Sequence, residues 1–525
     1  MYLKLIIIVS LWCSQLFAAE QTISSIMDST LAEFVHANEP GCSIGYGKND
    51  KVYYAHRGLS NLDSKLPIGV ETRFLTASIS KQMTSFLALL IAKEQELGID
   101  DDIHPLLPNL KKPRKITMRQ LMNHTSGIAD HWTLFEMQGR SLKEPYTQQD
   151  ALDLAYKNDY LEFSPGSRHS YSNGGYVVLA DLIETLSKNS LTKSFGQYIS
   201  KPLELDANYF VLNESGIAIG YLKRKSGFKL METQSTIAGP GNVVISIQGL
   251  AKWAKFLIEQ INTNEMYRDG INHSKHHYFA GLYVQPRDEQ KNTPTLMFHD
   301  GYYENNTQST LYLPESNEYV VSMCNRADFR PAALSRKLLT KLGSIPTAQK
   351  VSAAQDEPST LEGGLYYDSQ SEKAALLFEE EGERYYYGPF VGSPKPLAPN
   401  GTRNWKMVLS SKTVLLSHSG PNQFVVNDFQ NTFKFTKVSI EKPQSDVNKP
   451  VILNYKNPII GSTKLKLGSQ PNINFIESFG EIPLMCTSDN LCFTEDGYLV
   501  VDAINTNEIR ISTKDIQGVR FTLIE

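Results

Sequence analysis

"LTASISKQMTSFLALL", Leu75 to Leu90, places two serines and a lysine directly before a long apolar run. The run reads as a buried helix, and on a helix Ser78 and Lys81, three apart, share a face about one turn apart. A lysine amine in its neutral form can take the proton of a serine hydroxyl. A helix start also offers free N–H groups, which favour developing negative charge. The same spacing reads equally as a serine cap beside a solvated lysine. It recurs at Ser190–Lys193 and Ser226–Lys229, so its meaning rests on the rest of the chain.

Upstream, "SSIMDSTLAEFVHANEPG" repeats apolar residues at helical spacing and stops at Pro40-Gly41, and "CSIGYGKNDKVYYAHRG" reads as two strands around a turn. Far downstream, the amphipathic "QGLAKWAKFLIEQI" precedes a second hairpin, "STLYLPESNEYVVSMCN". Strands at both ends with helices between predict one antiparallel sheet in which the first and last segments meet, an α/β (α+β) domain. "GSIPTAQKVSAAQDEPSTLEGG" reads as a linker. Beyond it the helical period gives way to short, regularly spaced strands, an all-β barrel or sandwich. A second linker-like stretch, "EKPQSDVNKPVILNYKNP", separates two β units that both close on a Phe-Thr strand ("FKFTKV", "VRFTLI"), a hint of duplication. The expected organisation is a leader at 1–19, a catalytic domain at 20–345, and β-rich domains at 346–445 and 446–525.

A chain of 525 residues exceeds what one hydrophobic core normally supports. The formal charge is −4, one unit more negative without Lys4. No basic stripe suggests nucleic acid. "MYLKLIIIVSLWCSQLFAAEQ" has one lysine, an apolar run too short to span a bilayer, then small and polar residues. This predicts a signal peptide cleaved near Ala18 or Ala19 and a periplasmic or secreted product, with an uncleaved anchor as the rival. Bulky Trp12 argues against lipid modification of Cys13. Cys42, Cys324, Cys486 and Cys492 remain, and Cys486 with Cys492 can close a hairpin loop. No cysteine has metal-site neighbours, and the His273, His276, His277 cluster reads as a solvated loop. Neither metal nor cofactor is expected.

"GCSIG", Gly41 to Gly45, matches a nucleophile elbow, but that motif needs a strand before it and a helix after it, the reverse of this context. Other strings fall in a telling order after Ser78: "ITMRQLMNHTSGI", then "FSPGSRHSYSNGGYVVLADLIE", and much later "FHDG" before the final hairpin. On these motifs the chain resembles the serine β-lactamase and penicillin-binding-protein superfamily. It is most similar to the branch of class C β-lactamases, D-alanyl-D-alanine carboxypeptidases, D-aminopeptidases and related esterases, over roughly residues 25–340.

The resemblance implies that Ser78 is the acylated nucleophile, Lys81 its partner and Ser80 a non-nucleophilic inner serine. Tyr171 and Asn173 match Y-x-N, the tyrosine shuttling a proton and the asparagine positioning substrate and Lys81. His299 stands where many relatives carry the lysine of K-T-G, and Gly301 keeps that strand open to an extended substrate. The oxyanion hole would be the N–H groups of Ser78 and Tyr302. His124 in "HTSG" is expected to tie a loop beneath the site. Lys225 to Gly227, a K-S-G, imitates the third motif but lacks the closing hairpin. In the family fold the first and last strands are neighbours, so Cys42 and Cys324 would meet if register allows, with packed free thiols as the alternative.

Departures from the family sharpen the expectation. Tyr302 and Tyr303 follow the third motif where relatives carry small residues, and Asp300 occupies its middle. A carboxylate facing the cleft would favour a substrate ammonium over a carboxylate. D-aminopeptidases of this family carry two β-barrels behind the catalytic domain, as this chain does in outline. The expected protein is an exported serine hydrolase of small peptides or amides, with D-residues included, and cell-wall association is compatible with that. A class C-type β-lactamase or an esterase is the enzymatic alternative, and a penicillin-binding or sensor protein that acylates with little turnover is the non-enzymatic one.

Overall fold

The computed structural model describes residues 22–347, 362–439 and 451–523, with short breaks inside each span. The expected leader and most of the first linker lie outside the described residues. The chain forms two compact units, Met1–Leu97 with Ile183–Ala348, and Gly98–Leu182 with Gln349–Glu525. The expected catalytic domain therefore draws on both.

In the first unit, two strands, β1 (Cys42–Lys48) and β2 (Lys51–Arg57), form the early hairpin. Five late strands follow: β3 (Tyr278–Phe279), β4 (Leu282–Gln285), β5 (Leu296–Tyr303), β6 (Asn306–Leu313) and β7 (Glu318–Cys324). They make one seven-stranded sheet in the order β3-β4-β5-β6-β7-β1-β2. The first and last strands are neighbours, as expected, with Cys42 directly opposite Cys324.

One face of the sheet packs on helix 22–32 and the Pro331–Lys341 helix, through Met27, Leu31, Leu334 and Leu338 against Ile44, Phe298 and Leu311. The other face carries the Ser80–Glu94 and Ile247–Thr263 helices. The apolar run after Lys81 is buried nearly all round, as a helix without a polar face must be. Gln82 fastens it: its amide donates to Thr310 on β6 (2.8 Å) and accepts from Tyr312 (2.9 Å) and Trp253 (3.2 Å). The Ile247–Thr263 helix is amphipathic and is capped by Ser246, whose hydroxyl accepts the Gly249 N–H (3.0 Å).

Cys42 and Cys324 form a disulfide across β1 and β7, closing a separation of 282 residues. Both are fully buried. A Cys42→Ser, Cys324→Ser double variant is expected to lose roughly 2–5 kcal/mol of stability. Chemical denaturation measures the loss, and non-reducing peptide mapping that finds both thiols free in the parent rejects the bridge.

In the second unit, helices Met118–Met122, His131–Met137 and Gln148–Lys157 fold with two nine-stranded sheets. The first sheet runs from Gly364–Asp368 to Thr432–Lys437 and the second from Val451–Asn457 to Val519–Leu523. Numbered along the chain, both have the strand order 4-3-2-1-9-8-7-6-5. Both pair first strand with last in the same register: Tyr366↔Lys437 and Tyr367↔Thr436, then Tyr455↔Leu523 and Lys456↔Thr522. The Phe-Thr echo in sequence is thus a structural repeat. Strands four and five lie at opposite ends of each order yet are separated only by Leu397 or Leu484. One residue spans about 7 Å between its flanking Cα atoms, so each sheet must curl round until its ends approach. Leu397 and Leu484 are both buried at these seams. The Cys486–Cys492 disulfide lies in the second sheet, with the two residues directly opposite on a hairpin.

Candidate active site

Strand Arg73–Leu75 pairs with Val243–Ser246, setting Leu75 opposite Val244. This fixes Thr76, whose N–H (2.8 Å) and hydroxyl (2.9 Å) both donate to the Val243 carbonyl. Ala77 follows with φ +46°, a left-handed conformation that costs a non-glycine residue about 1–2 kcal/mol and that persists only where its surroundings over-determine it. The chain then makes one tight turn, Ala77–Ile79, which runs into the Ser80–Glu94 helix.

Ser78 lies on that turn, half-buried. Lys81 is fully buried, its Nζ 3.1 Å from Ser78 Oγ and 2.7 Å from the Pro240 carbonyl oxygen. The two serines separate cleanly. Ser80 Oγ accepts the Val243 N–H (3.0 Å) and bonds Thr76 Oγ1 (2.8 Å) with no exposed surface. It is a rivet between helix and strand.

The look-alike motifs resolve as structure. Ser190 caps the Leu191–Phe195 helix by accepting the Lys193 N–H (3.3 Å). Ser226 sits in the turn between Tyr221–Arg224 and Gly227–Leu230, as does Lys225 of the K-S-G string. Ser43 of "GCSIG" is buried on β1 and bonds His56 Nδ1 (2.6 Å) directly across the hairpin. A strand follows it, so no elbow forms.

On β5, alternation decides what each residue of the third motif faces. Gly301 faces the turn that carries Ser78: a Cβ there would lie 2.5 Å from the Thr76 carbonyl oxygen and 3.2 Å from Ala77 Cβ. Only glycine admits this approach. Gly301→Ala is expected to lower kcat/KM by about tenfold to a hundredfold, because displacement of a reacting group by a fraction of an ångström is costly. Near-parental kinetics in the folded variant would show that the turn tolerates the shift.

His299, with the same parity, is fully buried. Its Nδ1 lies 2.7 Å from the Asp300 carbonyl oxygen, which can only accept, so Nδ1 carries the hydrogen and Nε2 accepts from the Tyr278 hydroxyl (3.1 Å). Burial, aided by the Lys81 charge, pushes its pKa down to about 3. The residue in the K-T-G lysine position is therefore a neutral imidazole.

Asp300 corrects an expectation. It has the parity of Phe298, whose ring belongs to the core beneath the Pro331–Lys341 helix. Its carboxylate interacts with Arg336 and Arg330, while burial pushes its pKa up. It faces the opposite side of the sheet from Gly301 and is not a substrate group. Tyr302 shares that side, half-exposed under the Arg330 guanidinium (5.4 Å to the ring centroid). Tyr303 turns back and donates to Asn242 Oδ1 (2.5 Å), against the loop that follows Pro240.

The Y-x-N motif lies in the second unit. His124, at φ +56°, accepts the Ser172 N–H on Nδ1 (3.0 Å) and the Ser170 N–H on its carbonyl (2.9 Å). Its ring lies tilted against that of Tyr171, 4.1 Å between centroids. This is the loop-tying role expected of His124. Asn173 is held by Asp130, whose Oδ2 accepts the Asn173 N–H (2.6 Å) and its Nδ2 (2.8 Å). Asp130 Oδ1 also caps the His131–Met137 helix through the Trp132 N–H (2.9 Å). Sequence reasoning passed over Asp130. Its cap position was readable, but its partner lies 43 residues away.

Gln517, from the last β unit, is a second residue that sequence reasoning missed. Its N–H donates to Glu162 Oε1 (3.4 Å), its Oε1 accepts from Arg168, and its Nε2 donates to the Gln370 carbonyl (3.4 Å). Glu162 and Arg168 flank the loop that delivers Tyr171, so the β-rich half of this unit braces that loop. Burial raises the Glu162 carboxyl to about 7, against the pull of Lys373 and Arg168, with Gln517 and Ser170 also bonding it. A carboxyl raised above its unfolded value contributes stability that is full below about pH 4.5 and is lost as pH rises through about 7. Glu162→Gln should remove this dependence, worth up to about 3 kcal/mol, and flatten Tm between pH 5 and 8. An unchanged Tm–pH curve would remove Glu162 from the account.

Comparison with known proteins adds the following. A family model described as Beta-lactamase matches residues 23–343. Protein flp of Staphylococcus aureus (strain MRSA252) is 27% identical over 330 residues, 58% of this chain and 63% of its own length. The chain thus spans somewhat under two thirds of that relative. A D-aminopeptidase of Brucella anthropi is 26% identical over 248 residues, 44% of this chain and 47% of its own. Among solved structures, an octameric penicillin-binding protein homologue from Pyrococcus abyssi shares the fold with TM-score 0.54 at 21% identity, covering 79% of this chain and 99% of that one.

Proposed function

Because the chain belongs to the beta-lactamase family of serine hydrolases, matched over residues 23–343, we propose that it is an exported hydrolase of small amides or peptides, D-residues included, working through an acyl-Ser78 intermediate. The observation that carries this reading is the buried Lys81 Nζ, 3.1 Å from Ser78 Oγ at the start of a helix. Ser78 Oγ bonds to the substrate carbonyl carbon while its proton passes to Lys81 in its neutral form, whose Nζ also approaches the Pro240 carbonyl. Tyr171 relays that proton to the leaving amine, and the acyl-enzyme is then hydrolysed by water. Asn173 positions substrate, and the N–H groups of Ser78 and Tyr302 receive the oxyanion.

The neutral His299 bears on substrate class. With an uncharged imidazole in place of lysine, this strand offers no cation for a substrate carboxylate. That favours an amide, an aminopeptide or an ester over a C-terminal carboxylate or a β-lactam acid. The D-aminopeptidase of Brucella anthropi among the relatives and the paired β units support the amide choice. Asp300 no longer contributes to it. Export is supported by the leader-like N-terminus and two disulfides.

The test is a substrate profile: D-aminoacyl amides, D-Ala-D-Ala peptides, a chromogenic cephalosporin and short esters. The highest kcat/KM is expected on the D-aminoacyl amides, with steady turnover. A preference for the cephalosporin or for carboxylate-terminated peptides overturns the substrate reading. A burst without steady state would mark an acylating sensor instead.

A further inference from the structure

The free edge of β5 has a definite end. Its partner β4 pairs only with Leu296 to Phe298, so among the described strands the main chain from His299 to Tyr303 is paired on one side alone, with β6. An unpaired strand edge accepts an extended peptide through main-chain hydrogen bonds. His299, Gly301 and Tyr303 share a face by alternation, the face on which Gly301 abuts Thr76 and Ala77. From that face the Tyr303 side chain reaches the loop after Pro240 and donates to Asn242 Oδ1 (2.5 Å). Gly241 makes room for it: a Cβ there would lie 2.8 Å from the Tyr303 hydroxyl and 3.7 Å from the Ala77 carbonyl carbon. Asn242 is a firm anchor. It is fully buried, its Nδ2 donates to the Ser235 carbonyl (2.9 Å) and its own carbonyl accepts the Phe210 N–H (2.7 Å). Pro240, two residues earlier, carries the carbonyl that Lys81 Nζ approaches (2.7 Å). The tyrosine thus ties β5 to a loop that, with β5, brackets the Ser78 turn.

We propose that Tyr303, latched to Asn242, is a specificity-determining residue that closes the acyl side of the cleft, so that Ser78 takes one small acyl residue and excludes N-acylated or peptidyl acyl groups. The inference rests on the acyl-Ser78 reading and narrows its substrate class to a single aminoacyl unit. In that reading the oxyanion meets the Tyr302 N–H, and the carboxylate side of a peptide, which is its leaving side, lies toward His299. The acyl side then lies toward Tyr303. From Tyr302 one strand residue remains, a rise of about 3.4 Å, before the tyrosine bridge. That span holds the α-carbon and amine of one residue. A preceding residue, or an N-acyl group, meets the Tyr303 ring. Selection of this kind works by a clash against the larger substrate rather than by a new attraction to the smaller.

Acylation of the full-length protein by p-nitrophenyl esters of propionic acid, glycine, N-acetylglycine and N-benzoylglycine tests it. Activated esters acylate a nucleophilic serine whether or not the acyl-enzyme turns over, and glycine carries no chirality. The wall is thereby tested apart from the choice of amides and of D-residues. Release of p-nitrophenol above the spontaneous rate gives the second-order acylation constant, and peptide analysis places the acyl group on Ser78. In the parent, the propionyl and glycyl esters should exceed the N-benzoylglycyl ester by about tenfold or more, with the N-acetylglycyl ester between them. In Tyr303→Ala the ratio of propionyl to N-benzoylglycyl constants should fall about tenfold or more. Equal parental constants for those two esters, a measurement that needs no variant, overturn the proposal. An unchanged ratio in folded Tyr303→Ala also overturns it, and marks the tyrosine as a brace of the Ser78 turn alone. No acylation of Ser78 by any of the esters sinks the acyl-Ser78 reading itself, and this inference with it.

Discussion

Replacing Ser78 by alanine is expected to abolish hydrolysis and covalent labelling together, a loss of about four or more orders of magnitude, as removal of a catalytic nucleophile gives elsewhere. The effect should be confined to this serine. Ser78 is half-buried on the turn with Lys81 Nζ at 3.1 Å, while Ser80 is fully buried with its oxygen committed to Thr76 and Val243. Ser80→Ala removes a buried hydrogen-bonded hydroxyl and is expected to cost about 1–3 kcal/mol of stability while Ser78 still labels. Intact-mass and peptide analysis after a fluorophosphonate probe reads both outcomes. A label on Ser43, Ser80, Ser190 or Ser226, or persistent turnover by Ser78→Ala, ends the assignment.

Tyr171→Phe should lower kcat by roughly two or more orders of magnitude while leaving Tm and KM nearly unchanged, the magnitude expected for losing a general acid–base group. The variant is conservative because phenylalanine keeps the ring that packs against His124, 4.1 Å between centroids. The Ser172 and Asn173 contacts to His124 and Asp130 use backbone and other side chains, and also remain. In the proposed mechanism the proton passes between Lys81 and Tyr171, so the pH–rate profile belongs to the pair and its shape should change along with its height. Parental turnover in well-folded Tyr171→Phe would remove the tyrosine from the chemistry.

The sequence by itself determined the elements whose signals are local. Ser-x-x-Lys at a helix start, Y-x-N before a helix, and a glycine on a strand ahead of a hairpin each carry their meaning within a few residues, and their order supplied the family. The hairpin patterns at both ends of the first unit foretold the joining of first and last strands, while the Cys42–Cys324 bridge was implied only by the family resemblance, with packed free thiols as its alternative. The Phe-Thr echo foretold the repeated β unit. What tertiary structure alone decided depends on which face meets what. Period-two alternation says that His299 and Asp300 point apart, but only the packing of the Pro331–Lys341 helix shows that Asp300 is the one turned from the Ser78 turn, toward Arg336. The neutral state of His299 follows from its burial, aided by the Lys81 charge, and its tautomer from a buried hydroxyl 21 residues away and its own strand's carbonyl. Gln517 reaches Arg168 across 349 residues and Trp405 faces Arg384 across a sheet. Such contacts leave no local trace, because any exposed glutamine or strand tryptophan has the same neighbours in sequence. Chain folding alone gives those side chains their partners.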